Sequence, residues 1–205
     1  MASVTDDRWW RGFDDVILDA LPANSRVLDV GCGDGGLVRR LALGGLDAFG
    51  VDPRAPTEPR MIQEKVESVG DIGTFDAVCS VMSLHHADLE QAFTALTRVL
   101  RPKAQLFVYE FAWEAYDERA AAWLAERDMS EADNSVTGWN AEHAELHPAN
   151  TIRAMIAETF DLESELERPY LARMLRSHDL EHEEQAMIED NKLPALGRWY
   201  VARSS

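Results

Sequence analysis

The sequence predicts an α/β fold in which a mostly parallel sheet carries helices on both faces. Short β-branched runs alternate with amphipathic segments over residues 26–110, and a glycine-rich turn joins the first strand to the first helix after it. The chain has 205 residues, of which 46% are hydrophobic. That length suits one packed domain, so we expect residues 1–205 to form a single unit.

The expected domain has four parts. An N-terminal helix lies in residues 1–25, with its apolar positions recurring over 6–21, and the sheet core covers 26–110. Residues 111–149 are aromatic, acidic and irregular, and we interpret them as a helical lid inserted after the core. Residues 150–205 add a helix, a strand, a second helix and a last strand.

The individual elements follow from periodicity and from turn residues. Strands are predicted at 26–30, 48–52, 61–64, 75–81, 105–110, 162–167 and 198–202. Beyond the N-terminal helix, helices are predicted at 37–43, from Asp88 to Leu100, from Tyr116 to Arg127, after Asn150 and at 181–190. Asp88 is the predicted N-cap of its helix, with Gln91 in the capping-box position, and Asn150 is the predicted cap of the helix that follows it.

The net charge limits the kinds of partner that we expect, and the cysteine content indicates the compartment. The chain carries 20 basic and 37 acidic residues, a net charge of −17, which opposes binding to nucleic acid and to anionic membranes. The N-terminal residues lack the pattern of a secretory signal and no stretch is long and apolar enough for a bilayer, so we expect neither a secreted nor a membrane-spanning chain. Cys32 and Cys79 lie inside apolar runs, which favours buried, reduced thiols and a cytoplasmic location. We expect a monomer or a homodimer.

The turn GCGDGG at residues 31–36 is the strongest local motif. Its glycines satisfy both G-x-G-x-G and the dinucleotide pattern G-x-G-x-x-G, so spacing alone leaves the ligand open. In either case the missing Cβ atoms allow a tight turn and close approach of a ligand to the backbone. Asp29, just before the turn, favours a cationic ligand over a pyrophosphate. Asp52, at the tip of the second strand, can accept hydrogen bonds from ribose hydroxyls.

Three longer stretches resemble class I S-adenosylmethionine-dependent methyltransferases. They are VLDVGCGDGG, GVDP and FDAVCSVMSLHHADLEQAFTALTRVLRPKAQLFVYE, which together cover about residues 26–110. The resemblance is to small-molecule enzymes of the kind found in quinone and natural-product pathways. It implies a Rossmann-like, seven-stranded sheet whose last strand, RWYVA, is antiparallel.

The resemblance also implies a set of cofactor contacts. The methionine portion would be held at Asp29, Gly31, Cys32 and Gly33, the ribose at Asp52, the adenine at Pro53, Glu64 and Lys65, and the ammonium at the Ser80 carbonyl beside Val81. Two positions depart from the family pattern. Glu64 replaces the more usual Asp, and Lys103-Ala104 replaces a Gly-Gly pair after the RP turn.

Candidate catalytic residues follow the fourth and fifth strands, where open α/β sheets place their ligands. His85 and His86 are candidate bases, because an imidazole accepts protons near neutral pH, and we favour His86. Either ring could instead cap a turn or bond a backbone carbonyl. Glu110 could hold a polar group of the substrate or pair with an arginine.

The lid supplies candidate substrate contacts. These are Trp113, Tyr116, Trp139 and His143, with Trp9 approaching from the N-terminal helix. Aromatic residues at helical spacing can equally serve packing. Residues 110–150 hold ten acids against two arginines, which favours a neutral or cationic acceptor over an anionic one. His143 and His147 stand four apart, but with no third ligand we expect no metal site.

We therefore expect methyl transfer to an oxygen or nitrogen of a small, aromatic, neutral or cationic acceptor, with S-adenosylhomocysteine as the second product. One alternative is a non-catalytic module that binds adenosylmethionine for regulation. Another is an NAD-dependent oxidoreductase, which Asp29 and the lack of a recognisable catalytic domain disfavour.

Overall fold

Seven strands form one sheet, and the computed structural model describes residues 7, 9–127 and 133–205. The strands are β1 Arg26–Val30, β2 Asp47–Val51, β3 Met61–Ile62, β4 Phe75–Val81, β5 Leu100–Phe111, β6 Asp161–Arg168 and β7 Gly197–Arg203. Their order across the sheet is β3-β2-β1-β4-β5-β7-β6. Strands β1 to β5 pair in parallel, and β7 runs antiparallel to both β5 and β6. This confirms the predicted fold class, including the antiparallel last strand.

Helices cover both faces of this sheet. They are α1 Phe13–Ala20, α2 Gly36–Leu43, α3 Leu89–Val99, α4 Glu118–Ala125, α5 Val136–His143, α6 Ala149–Thr159, α7 Leu171–Met174 and α8 His178–Glu189. Short 3-10 turns occupy Val66–Ser68, Leu84–His86 and Trp113–Ala115. None of these described helices is long and apolar enough to span a bilayer.

Successive side chains of a strand point to opposite faces of the sheet, and their contacts show which helices cover each face. Leu28 on β1 packs with residues of α3 and α6, whereas its neighbour Val27 packs with residues of α1 and α2. A third apolar cluster joins the lid to α7, α8 and the segment before β7, with Trp123 and Leu171 among its members. The lid is therefore a packed layer with its own core.

Several element boundaries differ from the prediction. Helix α1 begins at Phe13 and not at residue 6, because Gly12 adopts a left-handed φ of 78° that ends the turn before it. Residues 1–6 and 8 lie outside the described part of the chain. Strand β3 has two residues and not four, and β5 begins five residues earlier than predicted.

Carboxylates from other segments bind N–H groups at the starts of two helices, α3 and α6. Asp88 caps α3 as predicted, accepting from the Gln91 N–H at 3.1 Å, but its own N–H donates to Glu67, so the reciprocal capping box is not formed. Helix α6 begins after Pro148 and not at Asn150. The first N–H groups of α6 donate to the Glu114 carboxylate of the lid, at 2.9 and 3.1 Å.

The lid and the C-terminal part contain elements that the sequence did not predict. Helix α4 is shorter than the predicted helix from Tyr116 to Arg127, and α5 and α7 were not predicted. Helix α8 starts three residues before the predicted 181–190.

Two leucines of α2 allow a matched test of this packing. Leu41 is fully buried in the cluster between α1, α2 and the sheet, whereas Leu43 is 86% exposed. We expect Leu41→Ala to lower the free energy of unfolding by about 2–5 kcal/mol, and Leu43→Ala to change it by less than about 0.5 kcal/mol. Urea unfolding followed by circular dichroism measures both, and equal losses would contradict the placement of α2.

Candidate functional site

An open cleft of about 460 Å³ lies at the carboxyl ends of β1, β2 and β4. Its lining residues are Val30, Gly31, Gly33, Val51, Asp52, Pro53, Arg54, Lys65, Val66, Glu67, Met82, Ser83, His86 and Ala87. Open α/β sheets bind ligands at this edge, where the connections on either side of the first strand diverge. The cleft is therefore the candidate ligand site.

The glycine turn forms one wall of the cleft. Gly31 has a φ of 76°, and a Cβ atom there would lie 1.9 Å from the Ser83 Oγ. Gly33 has a φ of 52°, and a Cβ atom there would meet nothing within 4 Å. Hence Gly31 is needed for packing between two loops, whereas Gly33 presents bare backbone to open space. A ligand can approach that backbone closely.

Asp52 ties the turn to the end of β2. One carboxylate oxygen accepts from the Gly33 N–H at 3.2 Å, and the other accepts from the Arg54 N–H at 2.7 Å. The side chain lines the cleft, although only 7% of the residue is exposed. Each oxygen retains acceptor capacity, so Asp52 is able to accept further hydrogen bonds from a ligand.

Asp29 lies buried behind the turn, with 3% of its surface exposed. The Cys79 thiol is its hydrogen-bond donor, at 3.7 Å, and no basic side chain in the described part of the chain forms an ion pair with it. Burial raises the pKa of Asp29 to about 7, the thiol contact opposes this rise, and the charge of Asp52 adds to it. A cation at this edge of the sheet would favour the ionised carboxylate.

Both cysteines are buried free thiols, as the sequence predicted. Burial, together with the nearby Asp29 carboxylate, raises the pKa of each thiol. Cys32 and Cys79 are therefore neutral and unreactive near pH 7. Cys32 packs against Gly50 of β2 and is not part of the cleft lining.

Glu110 is fully buried and organises the loop after β4. Its Oε1 accepts from the N–H groups of Ser83 and Leu84, at 3.1 and 2.7 Å, and its Oε2 accepts from the Phe111 N–H at 3.2 Å. The same Oε2 lies 2.6 Å from the His85 Nδ1. Neither sequence alternative for Glu110 is therefore correct, because its oxygens hold a loop and a histidine and not a substrate or an arginine.

His86 lines the cleft, and His85 lies behind it with 6% of its surface exposed. The two ring centroids are 4.3 Å apart. Partial burial lowers the pKa of His86, and the neighbouring His85 lowers it further. A lowered pKa keeps the His86 ring neutral, and so able to accept a proton, near pH 7.

The remaining predicted cofactor residues divide between the cleft and its surroundings. Pro53 and Lys65 line the cleft. Glu64 is exposed and lies outside the lining, in which Glu67 stands instead. Ser80 is fully buried, and its Oγ has no hydrogen-bond partner among the described residues. Val81 is half-buried and packs on the face covered by α1 and α2.

Sequence reasoning missed Arg54, Glu67, Met82 and Ser83 as cleft residues. The position of Met82 and Ser83 directly after a buried parallel strand is a signal that could have found them. Arg54 and Glu67 carry no comparable signal, because irregular segments place them.

Two of the lid residues predicted to contact substrate are packing residues instead. Tyr116 and Trp139 stack with centroids 4.0 Å apart and planes 9° apart, and each is only 4% exposed. The Trp139 indole N–H donates to the Trp113 carbonyl at 3.1 Å, and the His143 ring bonds the Trp139 carbonyl at 2.7 Å. Trp9 contacts the ring of Tyr170, with centroids 5.4 Å apart. None of these aromatic residues is in the cleft lining.

His147 fixes the loop after β4 from the side of the lid. The backbone N–H of His147 donates to the His85 carbonyl at 3.0 Å, and the ring Nε2 of His147 lies 3.1 Å from the Ala87 carbonyl oxygen. Across the described ranges, no group of three or more potential ligands is arranged to hold a metal ion. The loop is thus held by Glu110 on one side and by His147 on the other.

The chain is similar in sequence to known proteins. Residues 7–165 match the family described as a methyltransferase domain. An uncharacterised methyltransferase of Mycobacterium tuberculosis is 36% identical over 117 residues, which cover 52% of this chain and 46% of that protein. The chain spans about half the length of the curated relatives it matches at this level.

Solved structures share the fold. One is the 1,6-didemethyltoxoflavin-N1-methyltransferase of Burkholderia thailandensis, with a TM-score of 0.61 and 17% identity over 98% of this chain and 80% of that one. Another is the N-methyltransferase NodS of Bradyrhizobium japonicum, with a TM-score of 0.58 and 12% identity over 99% and 89% of the two chains. Both were solved with S-adenosylhomocysteine. These similarities confirm the Rossmann-like fold that the sequence motifs implied.

The buried Asp29 predicts an unusual dependence of stability on pH. Its pKa of about 7 in the folded state lies well above the ordinary value for an aspartate, so the folded protein holds this proton more tightly than the unfolded chain. The contribution of Asp29 to stability is therefore fully present below about pH 4 and is lost as the pH rises to about 7. Asp29→Asn removes this loss, and its stability relative to wild type should increase by about 2–4 kcal/mol between pH 4.5 and pH 8.

Urea unfolding at pH 4.5, 6 and 8 measures this change. Asp71→Asn is the control, because Asp71 is an exposed loop carboxylate, and its difference from wild type should not grow with pH. A difference for Asp29→Asn that stays constant over this range would contradict the raised pKa.

Proposed function

The chain belongs to the methyltransferase domain family, and we propose that it transfers a methyl group from S-adenosylmethionine to an oxygen or nitrogen atom of a small acceptor. The other product is S-adenosylhomocysteine. The observation that carries this proposal is a cleft at the carboxyl edge of the sheet, lined by a bare glycine backbone and by Asp52. The carboxylate of Asp29 lies buried behind the same turn.

The residues present fit this cofactor. Gly33 leaves open space where a side chain would stand, and Asp52 next to it can accept hydrogen bonds from both ribose hydroxyls. Pro53 and Lys65 also line the cleft, and in this proposal they contact the adenine. Asp29 is a buried carboxylate whose only hydrogen-bond donor within the described residues is a thiol, which suits a site that receives a positively charged ligand.

When bound, the cofactor supplies a sulfonium methyl group, and the bond from the acceptor to this carbon forms as the sulfur–carbon bond breaks with its electron pair going to sulfur. The chain has to align the acceptor, exclude water and remove a proton where the acceptor is a hydroxyl. The lid follows β5 directly, at the same carboxyl edge of the sheet, and in this proposal it contributes to excluding water. The loop Ser83–Ala87 supplies the histidines.

Two other functions use part of this site. A regulatory module that binds adenosylmethionine would need the cleft but not the imidazole of His86, which nevertheless lines it. An NAD-dependent oxidoreductase would bring a pyrophosphate to the glycine turn, where Asp29 and Asp52 repel it. We therefore favour the methyltransferase.

We further propose that the acceptor is aromatic and neutral or cationic. The net charge of −17 disfavours anionic partners in general, nucleic acid included. Several lid acids have structural partners, since Glu114 accepts from the first N–H groups of α6 and Asp117 caps α4. The two unpaired thiols, Cys32 and Cys79, suit a reducing compartment such as the cytoplasm.

Calorimetric titration with S-adenosylhomocysteine tests the cofactor assignment. We expect Asp52→Ala to weaken binding by at least about tenfold, because the variant loses two hydrogen bonds from ribose hydroxyls to a charged acceptor. Asp190→Ala is the control, since Asp190 is exposed and pairs with Lys192 after α8. Thermal unfolding verifies that both variants fold, and equal affinity in the two variants would contradict the role of Asp52.

Matched pairs of neutral and anionic phenols test whether the enzyme prefers an uncharged acceptor. Phenol and catechol are compared with 4-hydroxybenzoate and 3,4-dihydroxybenzoate at pH 7.5, with release of S-adenosylhomocysteine as the readout. We expect kcat/KM to be at least about tenfold higher for the neutral member of each pair, a difference of about 1.4 kcal/mol. Faster methylation of the benzoates would overturn the assignment of a neutral or cationic acceptor.

A further inference from the structure

We infer that Glu110 and His85 act as one unit in which the buried carboxylate orients His85 as the base that takes the proton of a hydroxyl acceptor. This inference rests on the proposed function, and it reverses the order of the two histidines that the sequence favoured. His85 would be the catalytic residue and Glu110 its positioning residue.

The first step concerns the state of Glu110. The residue is fully buried, and its carboxylate accepts three backbone N–H groups, those of Ser83, Leu84 and Phe111. All three partners are donors, so both carboxylate oxygens act as acceptors. The 2.6 Å contact to His85 therefore has one consistent direction, with the His85 Nδ1–H donating to Oε2.

The second step follows for the His85 ring. With the proton on Nδ1, the neutral ring carries its lone pair on Nε2. This nitrogen makes no hydrogen bond to the residues that the structure describes, and it is not among the fully sealed polar atoms that lack a partner. Nε2 is thus neither bonded to a described residue nor fully sealed from solvent, on a residue that is 6% exposed and next to His86 of the cleft lining. His86 packs against the same ring at 4.3 Å.

The third step compares the two histidines. A base held in one tautomer by a carboxylate is the arrangement that activates hydroxyl groups in several unrelated enzyme classes. The His85 carbonyl is also fixed, by the His147 N–H at 3.0 Å, so both the ring and the backbone are held in place. His86 lines the cleft but has no hydrogen-bond partner on its ring among the described residues. Its position suits contact with the ligand more than directed proton transfer.

The proton balance is complete without another reactant. As the bond between the acceptor oxygen and the methyl carbon forms, the O–H bond breaks and its proton passes to the His85 Nε2. The resulting imidazolium lies against the Glu110 carboxylate, which stabilises the charge. Release of this proton to solvent restores the neutral ring for the next turnover.

Glu110→Gln tests the unit with little change of shape. The N–H groups of Ser83 and Leu84 need an acceptor, so the amide oxygen of the variant should face them and its NH₂ group should face His85. The ring must then accept at Nδ1 and carry its proton on Nε2. We expect ¹⁵N spectra of histidine-labelled protein at pH 7.5, with S-adenosylhomocysteine bound, to show His85 with Nδ1–H in wild type and with Nε2–H in Glu110→Gln.

Turnover is compared with phenol and catechol at saturating adenosylmethionine. We expect Glu110→Gln and His85→Asn each to lower kcat by at least about a hundredfold, and His86→Asn to lower it by less than about tenfold. His182→Asn, an exposed substitution on α8, is the control that should match wild type. The affinity for S-adenosylhomocysteine should stay within about threefold of wild type in Glu110→Gln, His85→Asn and His182→Asn, as expected when the loop and the cleft are intact.

Three results would overturn the inference. One is an unchanged His85 tautomer in Glu110→Gln, and another is a loss in His86→Asn as large as that in His85→Asn. The third is a wild-type enzyme that binds S-adenosylhomocysteine but methylates neither hydroxyl acceptor. Failure of the wild type to bind S-adenosylhomocysteine at all is a different outcome, because it would reject the proposed function itself.

Discussion

The close approach of Ser83 to Gly31 is the constraint on which the rest of the site depends. The two residues follow neighbouring parallel strands, β1 and β4, and a Cβ atom on Gly31 would lie 1.9 Å from the Ser83 Oγ. Ser83 is in turn bound through its N–H by Glu110 at the end of β5. The glycine turn, the histidine loop and the fifth strand therefore form one rigid unit, and the cleft is the space that this unit leaves at the edge of the sheet.

Two buried carboxylates in this unit have opposite surroundings, and the contrast indicates their roles. Glu110 has three backbone N–H groups and a histidine around it, so its charge is fully solvated by the protein. Asp29 has a thiol 3.7 Å away, and burial raises its pKa to about 7. A carboxylate left in this state is costly unless a cation arrives. Glu110 is therefore part of the framework, whereas Asp29 is poised for a positively charged ligand.

The sheet was predictable because its signals are local, whereas contacts between distant segments were not. Arg26–Val30 and Phe75–Val81 are short β-branched runs, and the glycines after the first of them mark the turn. The contact of Glu110 with His85 joins residues 25 apart and depends on the β4–β5 register, which no sequence pattern specifies.

The lid was the least predictable part. The apolar residues of α5 do not recur on one face of the helix, and Trp139 is the single buried side chain in it. The sequence therefore lacks the periodic pattern that predicts a helix. Tyr116 and Trp139, which were predicted as substrate contacts, stack on each other in the core of the lid. The exposed position of Glu64 depends on β3 having only two residues.

The central claim is that a sulfonium nucleoside binds beside Asp29, and proton release on binding measures it most directly. Calorimetry of adenosylmethionine binding at pH 6.5, in buffers of different ionisation enthalpy, should show release of a substantial fraction of one proton in wild type and almost none in Asp29→Asn. Binding of NAD in place of adenosylmethionine, or binding of adenosylmethionine with no proton released, would contradict it.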